Sequence, residues 1–300
     1  MTAIIAGSNS RKLASSIARL SGARIVTKTV KRFPDGECYV RLDGAAFSGE
    51  NVFVVQSLYP RQDEQFMELF LTIDAVRENG GRPVAVLPYF AYGRQDKVFE
   101  KGEPLSLRVI GLALGALGTK GLITVDAHFH RGAGKFDFYG IHAINVSAAS
   151  LLRDHAKKII RGEFAVAGPD KGSADFLKGM EGALFLSKEK TFSETGKTRS
   201  YEIRTDAPPA LKGMNVLVLD DMVTSGGTME ESAKALKKQG NRVYAGCVHG
   251  VFLGGALQRL RKGTDGVFCT DTIESDASAV SVAPLIADAI KKMVRPSRPA

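Results

Sequence analysis

The sequence predicts an α/β protein of two similar domains, each a mainly parallel sheet flanked by helices. Three observations lead there. Short apolar runs alternate with helix-like segments along all 300 residues, the pattern of parallel strands covered on both faces. A hydrophobic content of 44% is enough for one large core or two ordinary ones. The chain also repeats itself weakly. NVFVV (51–55), a helix running to Asn79-Gly80-Gly81 and RPVAV (82–86) parallel a second unit: NVLVL (215–219), a helix to Gln239-Gly240 and NRVYA (241–245).

The elements follow in order. AIIA (3–6) is a short apolar run, so it reads as a first strand, and 11–20 as the helix behind it. VFVV (52–55) is β-branched and apolar, as a buried strand should be, and 63–78 is long enough to be its covering helix. Strand 84–87, helix 107–117 and strand 121–125 continue the alternation. Helix 147–160, strand 164–167, helix 172–178 and strand 183–186 come next. Strand 216–219, helix 228–239, strand 243–248 and helices 256–262 and 280–293 complete it. The joint between the halves falls near 141–145. The expected domains are 1–142 and 143–279, with the last helix, 280–294, assigned to the first.

Bulk properties exclude several classes. Cys38, Cys247 and Cys269 are too few and too scattered for a disulfide framework or a metal knuckle, and read as small buried apolar residues. MTAIIAGS (1–8) lacks a basic region and a long apolar stretch, so it reads as a strand and not a signal peptide. No window is long and apolar enough to span a bilayer. A cytoplasmic protein is expected. The net charge of +9 permits a nucleic-acid partner, but basic residues are dispersed among acids except in the tail from Lys291 and Lys292 to Arg298. Anionic small molecules explain the excess equally well, and neither a nucleic acid nor a membrane is expected as a partner.

VLVLDDMVTSGGT (216–228) is the most informative stretch. An apolar run ends in Asp220 and Asp221, a hydroxyl- and glycine-rich turn follows, and a helix begins. Such a turn aims backbone N–H groups, hydroxyls and a helix N-terminus at an anion. Glycine lets the backbone approach a phosphate without a Cβ in the way. Two aspartates would repel that phosphate unless sugar hydroxyls or a divalent cation stood between. The combination suggests a phosphorylated sugar. No Gly-Lys-Ser/Thr follows the glycines, so this is not a Walker A loop. The first half has QSLYP (56–60) at the matching place, with neither acids nor glycines, so the sugar phosphate is expected in the second half.

This segment resembles the phosphoribosyl-diphosphate-binding motif of type I phosphoribosyltransferases and of ribose-phosphate diphosphokinases, the PRPP synthetases. Other segments favour the latter. KRFPDGE (31–37) resembles their nucleotide-binding loop and PYFAYGRQD (88–96) their second ATP segment. VDAH (125–128) and GPD (168–170) resemble two metal-contacting positions, and FLSKEK (185–190) the root of a catalytic flexible loop. VHGVF (248–252) and TDTIES (270–275) also recur in the family, most like its archaeal-type branch. The likeness covers nearly the whole chain in order.

The resemblance implies two type I phosphoribosyltransferase-like domains and a magnesium-dependent transfer of the diphosphoryl group of ATP to the 1-hydroxyl of ribose 5-phosphate, giving PRPP and AMP. Phe33, Asp35 and Glu37 would bind the adenine end of ATP, across a subunit interface, which implies a homo-oligomer with a shared ATP site. On composition alone, 32–41 is an ordinary hairpin. Arg94, Gln95 and Asp96 follow a strand end, where ligands bind in open α/β sheets, and would join the ATP site. His128 and Asp170 would contact Mg2+. By itself His128 reads as a structural histidine, and it is an unusual direct magnesium ligand. HFHRGAGK (128–135) departs from the family by lacking a glutamine-containing stretch. Lys188 would be the leading catalytic residue, with Lys190 beside it where the family usually has arginine. Residues 191–200 are polar and read as a mobile loop. Asp220 and Asp221 would hold ribose hydroxyls, and Thr224, Ser225, Gly226, Gly227 and Thr228 the 5-phosphate. Two rivals share the motif: a phosphoribosyltransferase that consumes PRPP, against which the Phe33 and Arg94 segments argue, and a catalytically silent regulatory homologue, against which Asp220, Asp221 and Lys188 argue.

Overall fold

The computed structural model describes residues 2–130, 132–195 and 198–294; the side chains of 188–204 and the end of the basic tail lie outside the described residues. The chain divides into two units: 1–147 with 272–274 and 281–300, and 148–271 with 275–280.

The first unit runs β1 (Thr2–Ala6), α1 (Arg11–Ser21), β2 (Arg24–Val26), β3 (Lys28–Arg32), β4 (Cys38–Leu42), β5 (Asn51–Val55), α2 (Gln62–Glu78), β6 (Arg82–Leu87), α3 (Ser106–Ala116), β7 (Gly121–Val125), β8 (Gly134–Phe138) and β9 (Ile141–Val146). Its seven-stranded sheet has the order β2-β1-β5-β6-β7-β9-β8, parallel except for the β8–β9 pair. Strands β1, β5 and β6 are apolar along their length because helices cover both faces. Phe47, Phe53, Leu69 and Ile73 are fully buried in this unit, each contributing about 2–3 kcal/mol of burial. Strands β3 and β4 form a separate antiparallel hairpin beside α2. Residues 141–145, where the joint was expected, belong to β9, whose register with β7 and β8 carries the first unit on to Ser147. The chain later returns to this unit with a final helix, which packs on α1, β7 and β9.

The second unit runs α4 (Ala149–Ile159), β10 (Phe164–Gly168), β11 (Leu184–Phe185), β12 (Ser187–Thr195), β13 (Thr198–Asp206), β14 (Asn215–Val223), α5 (Gly227–Lys238), β15 (Arg242–Gly250), α6 (Ala256–Gly263), β16 (Gly266–Thr270) and β17 (Ser278–Val280). The helix that rejoins the first unit is α7 (Ala283–Val294). The six-stranded sheet, β11-β10-β14-β15-β16-β17, is parallel throughout. The internal repeat is real at the level of register. Asn51 pairs with Arg82 across β5 and β6, and Asn215 with Arg242 across β14 and β15.

Two expected segments differ. Residues 191–200 are largely taken up by the antiparallel pair β12 and β13, whose register runs from Ser187 opposite Asp206 to Thr195 opposite Thr198. The expected helix 172–178 shrinks to a single 3-10 turn, Lys171–Ala174. The carboxylate of Asp170 caps that turn by accepting from Gly172 N–H at 2.7 Å, and glycines at 172 and 179 lower the helix propensity around it.

Candidate active site

The acid pair lies within a strand, not in the turn after it. β14 continues past Leu219, with Asp220 opposite Cys247, Met222 opposite His249 and Val223 opposite Gly250. Asp220 and Asp221 lie side by side at the carboxyl end of the strand, with their carboxyl groups close enough to interact. Asp221 N–H donates to the Asp220 carboxylate at 3.0 Å. Burial, then the neighbouring Asp221 and the more distant Asp170, push the Asp220 carboxyl well above the usual carboxylate range. Two adjacent carboxylates thus stand at one strand end, a place suited to hydroxyl donors.

The turn that follows is open to solvent on one side. Ser225 and Gly227 are exposed, Thr224 and Thr228 half-buried. The backbone N–H groups of Ser225, Gly226 and Gly227 make no hydrogen bond among the described residues. Gly226 has φ 82° and caps α5 from the left-handed region; a Cβ there would meet Ala256 Cβ at 3.0 Å. At Gly227 a Cβ would meet nothing within 4 Å. The fold therefore gives a reason for glycine at 226 and none at 227. Unpaired N–H groups at a helix N-terminus, behind a residue with no side chain, form an anion cradle.

The other side of the turn is braced. Val223 C=O accepts from Val251 and Phe252 N–H at 3.0 and 3.1 Å, and Thr224 C=O from Leu253 N–H at 2.8 Å. Arg259, on α6, donates to Ser225 C=O at 2.7 Å, to the Glu230 carboxylate at 2.9 Å and to Gly254 C=O. The family-like stretch 248–252 thus braces the turn, and nothing in the sequence around Arg259 marks it. No spacing rule points to Arg259, because its partners are mostly backbone carbonyls.

The first unit's matching turn closes on itself. Ser57 N–H donates to Ser10 Oγ at 2.8 Å, Asn9 Nδ2 donates to Ser57 and Tyr59 C=O, and Pro60 has no N–H. Asp63 and Glu64 occupy the first turn of α2, where an anion would otherwise sit.

The remaining candidates sit on loops and strand ends of their own units. Phe33, Asp35 and Glu37 form the tip of the β3–β4 hairpin, where Phe33 N–H donates to Glu37 C=O at 2.9 Å and Gly36 N–H to Phe33 C=O at 2.8 Å. Phe33 is 48% exposed, its ring edge-on to Tyr39. The hairpin is tied to α2 by the buried Lys28–Glu68 pair at 2.7 Å and by Arg32 and Glu64. Burial lowers the Lys28 ammonium despite Glu68 beside it. Burial would raise Glu68, but Lys28 and two hydrogen bonds from Ser8 hold it below the usual carboxylate range. Arg94 and Asp96 are exposed, and Gln95 is held by Ser106 at the start of α3. His128 is exposed in the loop after β7, while His130 stacks on Phe136 at 3.9 Å and burial lowers its pKa. Lys188 and Lys190 fall on β12, with side chains outside the described residues. Among the described residues, no group of three or more His, Cys, Asp or Glu side chains could hold a metal alone. Cys247 and Cys269 are buried and Cys38 is half-buried; all are free thiols.

Comparison with known proteins agrees with this arrangement. The family described as the N-terminal domain of ribose phosphate pyrophosphokinase matches residues 2–118, and the phosphoribosyl transferase domain matches 140–284. The ribose-phosphate pyrophosphokinase of Methanopyrus kandleri is 36% identical over 97% of this chain and 99% of its own. The chain belongs to the ribose-phosphate pyrophosphokinase family. The enzyme of that name from Thermococcus kodakarensis is 36% identical over 89% of this chain and 92% of its own. Among solved structures, phosphoribosylpyrophosphate synthetase from Mycobacterium smegmatis superposes with a TM-score of 0.81 at 26% identity, covering 97% of this chain and 98% of that one. The expected kinship with archaeal members holds in these relatives, and the expected fold of two phosphoribosyltransferase-like units holds with it. No helix among the described residues is long and apolar enough to cross a membrane.

Proposed function

We propose that this chain is a ribose-phosphate diphosphokinase. The 1-hydroxyl oxygen of ribose 5-phosphate attacks the β-phosphorus of ATP, the bond from that phosphorus to the α-phosphate oxygen breaks, and PRPP and AMP form. The observation that carries this reading is the strand-end acid pair followed by three unpaired turn amides at the start of α5, in a chain of this family.

Each part of the turn has a role in that reaction. The amides of Ser225, Gly226 and Gly227 and the hydroxyls of Thr224, Ser225 and Thr228 bind the 5-phosphate. Asp220 and Asp221 accept from the ribose 2- and 3-hydroxyls, which orients the ring and points the 1-hydroxyl outward. The raised pKa of Asp220 suits a carboxyl that gains by receiving hydroxyl donors. Phe33, Asp35 and Glu37, together with Arg94, Gln95 and Asp96, bind ATP, the hairpin reaching a neighbouring subunit in a homo-oligomer. Lys188 and Lys190 neutralise charge on the phosphate oxygens as the diphosphoryl group moves. Alignment and charge neutralisation are what this chemistry needs most.

Mg2+ fits the donors present. Asp170 supplies a carboxylate oxygen, the donor magnesium prefers, and an ion that keeps waters and takes substrate phosphates as ligands needs few protein donors. Asp170 would offer one carboxylate, one oxygen of which is engaged by Gly172 N–H, and His128 would act on the metal or its water. When bound, Mg2+ supplies neutralisation of the triphosphate.

Purified protein with ATP, ribose 5-phosphate and magnesium should release AMP. Well-folded protein that yields none overturns the reading. Pyrophosphate released from PRPP and a base would favour the phosphoribosyltransferase rival.

A further inference from the structure

The first turn of α5 carries its own competitor for the phosphate. Glu230 begins at the fourth residue of that helix, and a Cβ built on Gly226 would lie 3.1 Å from Glu230 Oε1. A carboxylate in the first turn of a helix is drawn to the unpaired amides at its N-terminus by charge and by hydrogen bonding. Here those amides are the ones left unpaired for a ligand. A fixed carboxylate on them would exclude phosphate by occupancy and by charge.

Arg259 stands against this. Its guanidinium engages Glu230 at 2.9 Å while it also donates to Ser225 C=O at 2.7 Å and to Gly254 C=O. The planar fork of arginine can hold three acceptors at once, which a lysine cannot do in the same geometry. The bond to Ser225 has a second consequence. In a trans peptide the C=O and the next N–H point to opposite sides. Drawing Ser225 C=O toward α6 therefore aims Gly226 N–H away from α6, to the open side of the turn.

We propose that Arg259 is a positioning residue for the phosphate turn: it restrains Glu230 from capping the turn's amides and fixes the Ser225–Gly226 peptide so that they face the ligand. The inference rests on the reading of 224–228 as the ribose 5-phosphate turn. It makes Glu230 the group whose removal repairs the loss of Arg259. A brace that merely stiffened the fold would not behave so.

The test is a double-mutant cycle in the full-length protein with steady-state kinetics for both substrates. Arg259→Met should raise the KM for ribose 5-phosphate about tenfold, the worth of one charge-assisted hydrogen bond, and leave the KM for ATP within about twofold. Adding Glu230→Gln to Arg259→Met should bring the ribose 5-phosphate KM back to within about threefold of wild type. Arg259→Lys, which keeps the charge and loses the fork, should fall between and serves in place of Arg259→Met if that variant does not fold. An unchanged ribose 5-phosphate KM in the Arg259 variant, or a loss that Glu230→Gln does not repair, overturns the inference. Wild-type protein that binds no ribose 5-phosphate would instead overturn the reading of the turn.

Discussion

Replacing Gly227 with alanine separates what the fold requires from what a ligand requires. A Cβ at this position meets nothing within 4 Å, and its φ lies outside the left-handed region. Alanine at the first residue of α5 reduces the freedom of the unfolded chain and suits a helix, a gain of about 0.5 kcal/mol. For a chain of this size that is a rise in Tm of about 1–2 °C. The new methyl, however, stands beside amides that no group among the described residues uses. If a phosphate approaches them, the methyl displaces it from at least one charge-assisted hydrogen bond worth about 1.5–3 kcal/mol, and the KM for ribose 5-phosphate rises about 10- to 100-fold. The KM for ATP should not move. Gly226→Ala is the contrast: with φ 82° and Ala256 Cβ at 3.0 Å, it should cost about 1–2 kcal/mol of stability as well. Thermal unfolding and two-substrate kinetics on both variants decide the matter. A Gly227→Ala protein with unchanged ribose 5-phosphate KM would refute the claim that ligand approach, and not folding, explains that glycine.

Other outcomes follow from the same geometry. Asp220→Asn should lower kcat/KM about 100-fold through loss of a charged acceptor. Its stability effect should have the opposite sign. A carboxyl whose folded pKa is raised binds its proton more tightly in the fold, so ionisation destabilises the native state as pH rises above the ordinary carboxylate range. The variant should therefore melt above wild type at neutral pH, with the gap closing below about pH 4 in pH-resolved melting curves. The Lys28–Glu68 pair has side chains only 3% and 6% exposed. Lys28→Met alone should cost about 3–5 kcal/mol in denaturant unfolding, and Lys28→Met with Glu68→Met should recover most of it. Lys188→Ala should reduce single-turnover AMP formation about 1000-fold with little change in substrate binding.

The buried strands were legible because three adjacent parallel strands of each sheet are almost wholly apolar. Residues 52–55, 84–87, 216–219 and 243–248 needed no more than that signal. The internal repeat was legible as well, and the structure gives it a shared register: Asn51 pairs with Arg82 and Asn215 with Arg242. What escaped was polar or short. β14 was expected to stop at Leu219 because aspartates disfavour strands, yet the strand runs through both acids to Val223, with Asp220 and Met222 paired to β15. KTFSETGKTRS (190–200) looks like a loop by composition, but backbone pairing of β12 with β13 does not depend on apolar side chains. β2 and β17 have three residues each, too few for a period to show. At the site, the acids, hydroxyls and glycines could be read directly because they are contiguous. Arg259 could not, because its role depends on α6 folding back beneath a turn more than thirty positions earlier.

The most direct test is a crystal of this protein with ribose 5-phosphate. The phosphate should lie on the amides of residues 225–227, with two ring hydroxyls on Asp220 and Asp221. An occupied sugar phosphate elsewhere, with that bend holding only solvent, would contradict the account.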